Sequence, residues 1–337
     1  MFKGWCTSQT SDDTCSSDVV QPGGYVALNP GTSSTTATVN KTIYAMWRKN
    51  LPGLCTDAAT CMQTMTICPT TPTTVTDGRD GKTYSVQQLN DGNCWMLENL
   101  RLDLVDSTVQ GNLTSDTTNA SDTALGYLKN GGGTTSDKYP TSSVQLADSN
   151  DYFSIPAIAK AGVCLDAYCV DSPAAGEWDS EVVTPATING TTSIAQGKVG
   201  IYYNYCAVSA GSYCWGDGTA STGSPTTDPS GTLRDIDGDI CPKGWHLPTS
   251  TSDGEFQALY TAYSSNVTDF QTALSTPLSG CFASGMAREQ GNLGLFWSST
   301  WIYPSNMLRL NLRSSDVSPS SNYRRNSGYS VRCVLDS

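Results

Sequence analysis

One imidazole is available to the 337-residue chain, His246, so any Ser-His-Asp triad would have to run through it. It stands between Trp245 and Leu247, and no Gly-x-Ser-x-Gly elbow accompanies it, which makes a structural turn the simpler reading. A second chemistry belongs to Asp235, Asp237 and Asp239, three carboxylates at alternate positions beside Gly238. That spacing suits a hard cation that takes about six to eight oxygens, calcium above all. The competing reading is a solvated acidic turn, since the glutamate that completes an EF-hand loop has no counterpart. Calcium is therefore the one cofactor the residues suggest, and no catalytic set is expected.

Cysteines are the third group. The chain has 13 of them and no Cys-x-x-Cys, and with a single histidine it lacks the ligand framework of a zinc knuckle or ribbon. Disulfides in an oxidising compartment are the better account. Close pairs suggest local staples: Cys6 with Cys15, Cys55 with Cys61, Cys164 with Cys169, Cys206 with Cys214. An odd total leaves at least one thiol over.

The fourth group lies between Trp297 and Tyr329. Trp301, Tyr303, Asn306, Arg309, Asn311, Arg313, Asn322, Tyr323, Arg324 and Arg325 form the aromatic, arginine and amide mixture of binding surfaces. A solvated strand face on an acidic protein is the alternative. The net charge of −12 repels phosphate backbones, so nucleic acid is not an expected partner. No run of 18 or more apolar residues is present to span a bilayer. Met1 leads directly into polar residues, without an apolar leader, and a disulfide-rich chain of that kind reads as a piece of a longer exported protein.

Local patterns indicate the elements that would hold these groups. Met307–Arg313 alternates strictly, predicting a strand with Leu308, Leu310 and Leu312 inward and Arg309, Asn311 and Arg313 outward. Ser252-Asp253-Gly254-Glu255 reads as a capping box before a helix whose apolar stripe is Phe256, Leu259, Tyr260 and Tyr263. Asp77-Gly78, Asp80-Gly81 and Asp91-Gly92 between apolar runs signal hairpins. Thr42–Trp47 alternates as a strand, whereas Pro69 and Pro72 discourage regular structure in a Cys- and Thr-rich connector over residues 51–75.

Two resemblances extend these readings. Residues 2–47, with Phe2, Gly4-Trp5, Gly23-Gly24-Tyr25 and Thr42-Ile43-Tyr44-Ala45-Met46-Trp47, resemble the second half of the internalin-type B-repeat (Listeria–Bacteroides repeat), which implies a small β-grasp-like segment over 1–50. The segments Asp77–Val86, Asp91–Leu100, Cys241–Thr249, Phe296–Thr300 and Gly328–Val334 resemble, in order, the Fibrobacter succinogenes major paralogous domain. That resemblance covers about 76–337 and implies an α+β fold related to C-type lectins and formylglycine-generating enzymes, in which the Gly244–Thr249 segment leads into a helix. It implies a Cys241–Cys333 disulfide, with Cys94 most naturally pairing with Cys68 and Cys281 left over. No landmark carries the copper-binding cysteines of formylglycine generation, and the Glu-Pro-Asn and Trp-Asn-Asp loops of calcium-dependent sugar lectins are absent.

The expected protein is accordingly an extracellular bacterial surface binding protein, adhesin- or receptor-like, and no enzyme. Its lectin-like domain would meet a protein or glycan on another cell through the late strands. In some proteins of this fold, diversity-generating retroelements vary that segment. A structural subunit of a surface appendage or envelope layer is the alternative, and a formylglycine-generating-type enzyme the third.

Overall fold

Hairpins come first in the larger unit, because Asp-Gly steps supply the tight turns that let consecutive strands pair. The computed structural model describes residues 2–6, 9–11, 14–15, 19–20, 44–47, 52–121, 124–125, 128, 158–160, 168–170, 187–188, 191–192, 199–210, 233–236, 238–283, 286–302, 306–324 and 327–337. Only the backbone is described for the strands before Pro52 and for 168–170, 187–188, 191–192, Arg234, Asn306 and Arg324. The chain divides into two units, Met1–Leu51 and Pro52–Ser337.

In the first unit, β1 (Phe2–Cys6), β2 (Gln9–Ser11), β3 (Thr14–Cys15), β4 (Val19–Val20) and β5 (Tyr44–Trp47) form a three-stranded sheet of order β4-β1-β5 and a β2-β3 pair. Of the strand expected over Thr42–Trp47, Tyr44–Trp47 is described as a strand and pairs antiparallel with β1, while Thr42 and Ile43 lie outside the described residues.

In the second unit, β6 (Thr73–Thr76), β7 (Thr83–Gln88) and β8 (Cys94–Met96) follow one another as hairpins. Gly92 turns the second hairpin at φ +86, a conformation open to glycine at little cost. After α1 (Ser107–Asn112) come β9 (Ile158–Lys160), β10 (Tyr168–Val170), β11 (Thr187–Ile188), β12 (Thr191–Thr192), β13 (Ile201–Tyr203) and α2 (Tyr205–Val208). Next are β14 (Arg234–Asp235), β15 (Trp245–His246), α3 (Glu255–Ala262) and α4 (Val267–Ala273). The chain closes with β16 (Cys281–Ala283), β17 (Met286–Arg288), β18 (Gly294–Ile302), β19 (Asn306–Leu312), β20 (Val317–Arg324) and β21 (Val334–Leu335). The described part is an α+β mixture, mostly strand.

Two sheets dominate, β15-β21-β8-β7-β6 and β14-β18-β19-β20, antiparallel throughout. Each lies between two apolar clusters. Trp95, Phe296, Leu310, Leu312 and Val334 face the cluster of Phe256, Leu259, Phe270 and Leu274 from α3, α4 and the residue after α4. Their strand neighbours Met96, Leu295, Trp297 and Met307 face the other cluster, with Tyr203, Tyr205, Trp245 and Tyr329.

Three expectations need correction. Residues 52–75 are more than a connector: Met62 is buried in the main cluster, its carbonyl accepts from Trp245 Nε1 at 2.9 Å, and Thr73–Thr76 is a sheet strand. Proline sits only before that strand, where its missing N–H costs no ladder bond. The capping box does not form, because α3 starts from Gly254, which has no side-chain cap, and Glu255 turns its carboxylate to Thr249 N and His246 instead. Phe256 and Leu259 are buried as the stripe requires. Last, Arg309 and Trp301 are buried, although the sequence set them on the outer surface. Alternation marks an inside and an outside only where one sheet face is wet, and β19 is covered on both faces along its centre.

Disulfides join Cys55–Cys61, Cys68–Cys94 and Cys241–Cys333, the last with a Cα separation of 5.9 Å. Cys206 is disulfide-bonded too, and its expected partner Cys214 lies outside the described residues, as do the Cys6–Cys15 and Cys164–Cys169 side chains. Cys281 is a free thiol. Among the described residues, no helix is long and apolar enough to cross a membrane.

Candidate functional site

Most of the polar residues singled out in the sequence are consumed by the fold. Asp77 binds Arg79 through both carboxylate oxygens, and Arg79 Nη1 donates to Ile240 O, so this turn clips the first hairpin to the segment ahead of Cys241. Gly78 is needed there for contact, since a Cβ would come 2.3 Å from Pro52 O. Asp239 is buried and saturated: Cys241 N donates to Oδ1 at 2.8 Å, while Leu247 N and Asn119 Nδ2 donate to Oδ2. Asp235 accepts from the hydroxyls of Thr300 and Ser299, and Asp237 lies outside the described residues. Among the described residues no group of three or more His, Cys, Asp or Glu side chains is arranged to hold a metal.

His246 is likewise engaged. Its Nδ1 lies 2.6 Å from Asp336 Oδ1 and its Nε2 2.8 Å from Glu255 Oε1. Carboxylates cannot donate, so both nitrogens carry protons and the ring is an imidazolium. Burial opposes that charge, but the two carboxylates outweigh it and hold the pKa up at about 9. A ring that is charged at neutral pH, with both nitrogens bonded, is no general base there.

The late strands hold a different kind of polar residue. Arg309 on β19 is 7 % exposed and lies with its guanidinium 4.2 Å from the centroid of the Tyr323 ring and 4.7 Å from that of Tyr329. Tyr323, on β20, is 47 % exposed, and Tyr329 packs against Trp297 at 4.3 Å between centroids. Arg309 Nε is sealed from solvent without an acceptor, and so is Asn311 Oδ1 without a donor. Arg309 makes no hydrogen bond to any described residue and forms no ion pair among them, in a chain with 31 acidic side chains. Cross-strand pairing sets Ser321 beside Arg309 and Ser318 beside Asn311, on the same sheet face.

Cys281 adjoins this cluster. Burial pushes its thiol up to about 11 in spite of the Arg309 charge, so it stays protonated and is no nucleophile at neutral pH.

Of the residues proposed for binding, Arg309, Asn311 and Tyr323 come together. Asn322 on β20 and Arg313, the residue after β19, are exposed, and Trp301 is buried in the main cluster beside Met307. Asn306 and Arg324 pair through their backbones, while Tyr303 and Arg325 lie outside the described residues. Sequence reading missed Tyr329, which it placed only within the Gly328–Val334 segment of the resemblance, and the serines of β20. A two-residue offset from Tyr323 to Ser321 was a signal for the serines, but their strand partner had to be known. It also missed an open groove of about 640 Å³ elsewhere, lined by Gln87, Gln88, Leu97, Tyr263, Asp269 and Ser275 among others.

Comparison with protein-family models, curated proteins and solved structures finds no match for this chain.

Proposed function

We propose that this is a bacterial surface binding protein, adhesin- or receptor-like, which meets an external ligand through the exposed ends of β19 and β20 in a lectin-like domain. The observation that carries it is Arg309. A guanidinium stripped of most of its water and given no acceptor costs stability, and such a residue is retained where an incoming group supplies the missing partner. Two tyrosine faces hold the cation in place, and half-exposed Tyr323 offers an aromatic surface at the rim.

Support for the lectin-like reading comes from the landmark order in the sequence, the Cys241–Cys333 bridge, the helix that follows Gly244–Thr249, and the late antiparallel strands. The disulfides suit an extracellular location. With His246 held by two carboxylates and Cys281 protonated, the described residues offer little to an enzymatic reading.

A glycan and protein array probed with the purified chain tests the proposal. At least one partner should be retained on the array and lost by Tyr323→Ala and Arg309→Ala, with folding preserved by circular dichroism. Normal binding of every partner by both variants would exclude this face.

A further inference from the structure

The chemistry of this face also specifies what its ligand carries, an inference that rests on the binding reading above. The other buried charges have protein partners: Asp239 has three N–H donors, Arg79 has Asp77 and Arg332 has four oxygens. Arg309 has two aromatic faces and no anion. Its Nε is sealed, whereas neither Nη is sealed or bonded, so the open edge of the guanidinium offers N–H donors. Asn311, two residues along the same strand, has its Oδ1 sealed and its Nδ2 neither sealed nor bonded, which adds a further donor on that side. Donors without an acceptor call for an anion, and a guanidinium edge fits a carboxylate.

The surroundings narrow the class. Ser318 and Ser321 line the same face, and Tyr323 stands half exposed beside them. Hydroxyls, an amide and one aromatic edge match a sugar ring. A net charge of −12 opposes a polyanion but tolerates one acid on an otherwise neutral ligand. We propose that Arg309 and Asn311 form the acid-binding corner of a saccharide site, taking the carboxylate of a uronic- or sialic-acid-type sugar whose hydroxyls meet Ser318 and Ser321.

The test is calorimetric titration of the full chain with a glucuronate-terminated and a sialate-terminated oligosaccharide, each beside its carboxyl-reduced counterpart. One acidic form should bind at least about tenfold tighter than its reduced form. Arg309→Gln should abolish that preference, and Asn311→Asp, by adding a like charge, should weaken the acidic sugar by about tenfold or more. The comparison of acidic with reduced sugar uses the unaltered chain, so it stands even if a variant fails to fold. Equal binding of both forms overturns the acid corner and leaves the binding function intact. Displacement of the sugar by a glutamate-rich peptide that binds more tightly overturns the saccharide assignment. Failure to bind either sugar pair, when the array does find a partner lost by Tyr323→Ala, overturns this inference alone. Failure to bind anything on the array overturns both.

Discussion

His246 and Glu255 are joined by a 2.8 Å contact that ties the turn after Cys241 to the first residue of α3, and Asp336 holds the opposite ring nitrogen. The imidazolium is held at about 9 against an ordinary 6.5, so its stabilisation is complete below pH 6.5 and lost as pH rises through 9. Glu255 is held below its ordinary 4.5 chiefly by His246, against burial, so its share is present above 4.5 and lost in acid. His246→Asn should therefore lower stability by roughly 1–3 kcal/mol near pH 6, with the deficit vanishing above about pH 9. Melting curves of both proteins across pH 5–10 check this, and a pH-independent deficit would contradict an ionic tie. In the unaltered protein Asp80, pushed up to about 7 by burial and Asp77, also loses stability as pH rises through that value.

Two buried arginines should respond oppositely to the same substitution. Arg332 donates to Asn99 Oδ1, to the carbonyls of Met96 and Leu274 and to that of Ser275, so Arg332→Met strips four oxygens of their donors and should cost roughly 3–5 kcal/mol. Arg309→Met removes a cation that has no acceptor and keeps an apolar stem between the tyrosines, so stability should stay level or rise. Urea titration of both variants decides; a large loss in Arg309→Met would mean the residue is structural.

Leu310→Ala opens a hole in the cluster packed against α3 and α4 and should cost roughly 2–5 kcal/mol. Exposed Arg313→Ala should stay within about 0.5 kcal/mol, and equal effects would refute the assignment of faces at this end of β19.

Cys241 and Cys333 close a loop with a sequence separation of 92. Replacing both by alanine should cost about 4–5 kcal/mol in the chain-entropy account. Peptide mapping without reduction should recover this bridge with Cys55–Cys61 and Cys68–Cys94, and should find Cys281 alkylated only after unfolding.

Chelation should matter little. Asp239 already has three N–H partners, so EDTA should move the melting temperature by no more than about 3 °C. A larger drop, reversed by calcium, would identify a metal among Asp235, Asp237 and Asp239.

Local chemistry was legible where it acts over a few residues. Asp-Gly steps gave the hairpins, the apolar stripe gave α3, and close cysteine spacing gave Cys55–Cys61. The binding face was legible as a region and misread residue by residue. Arg309 looked outward because a one-dimensional alternation carries no information about a second layer, which Tyr329 supplies from elsewhere in the chain, and Trp301, singled out by residue type alone, packs into the main cluster.

The sequence by itself determined the α+β character, the disulfide framework in part, and the strand on which the candidate site lies, since period, turn chemistry and composition are local properties. Tertiary structure alone decided which charges are spent and which are left over. Asp239, His246 and Arg309 are equally polar as letters. The first two meet partners brought from 120, 90 and 9 positions away, and the third meets aromatic rings and no anion. Whether a buried charge is satisfied depends on distances of a few ångströms between segments remote in the chain, which only the folded arrangement sets.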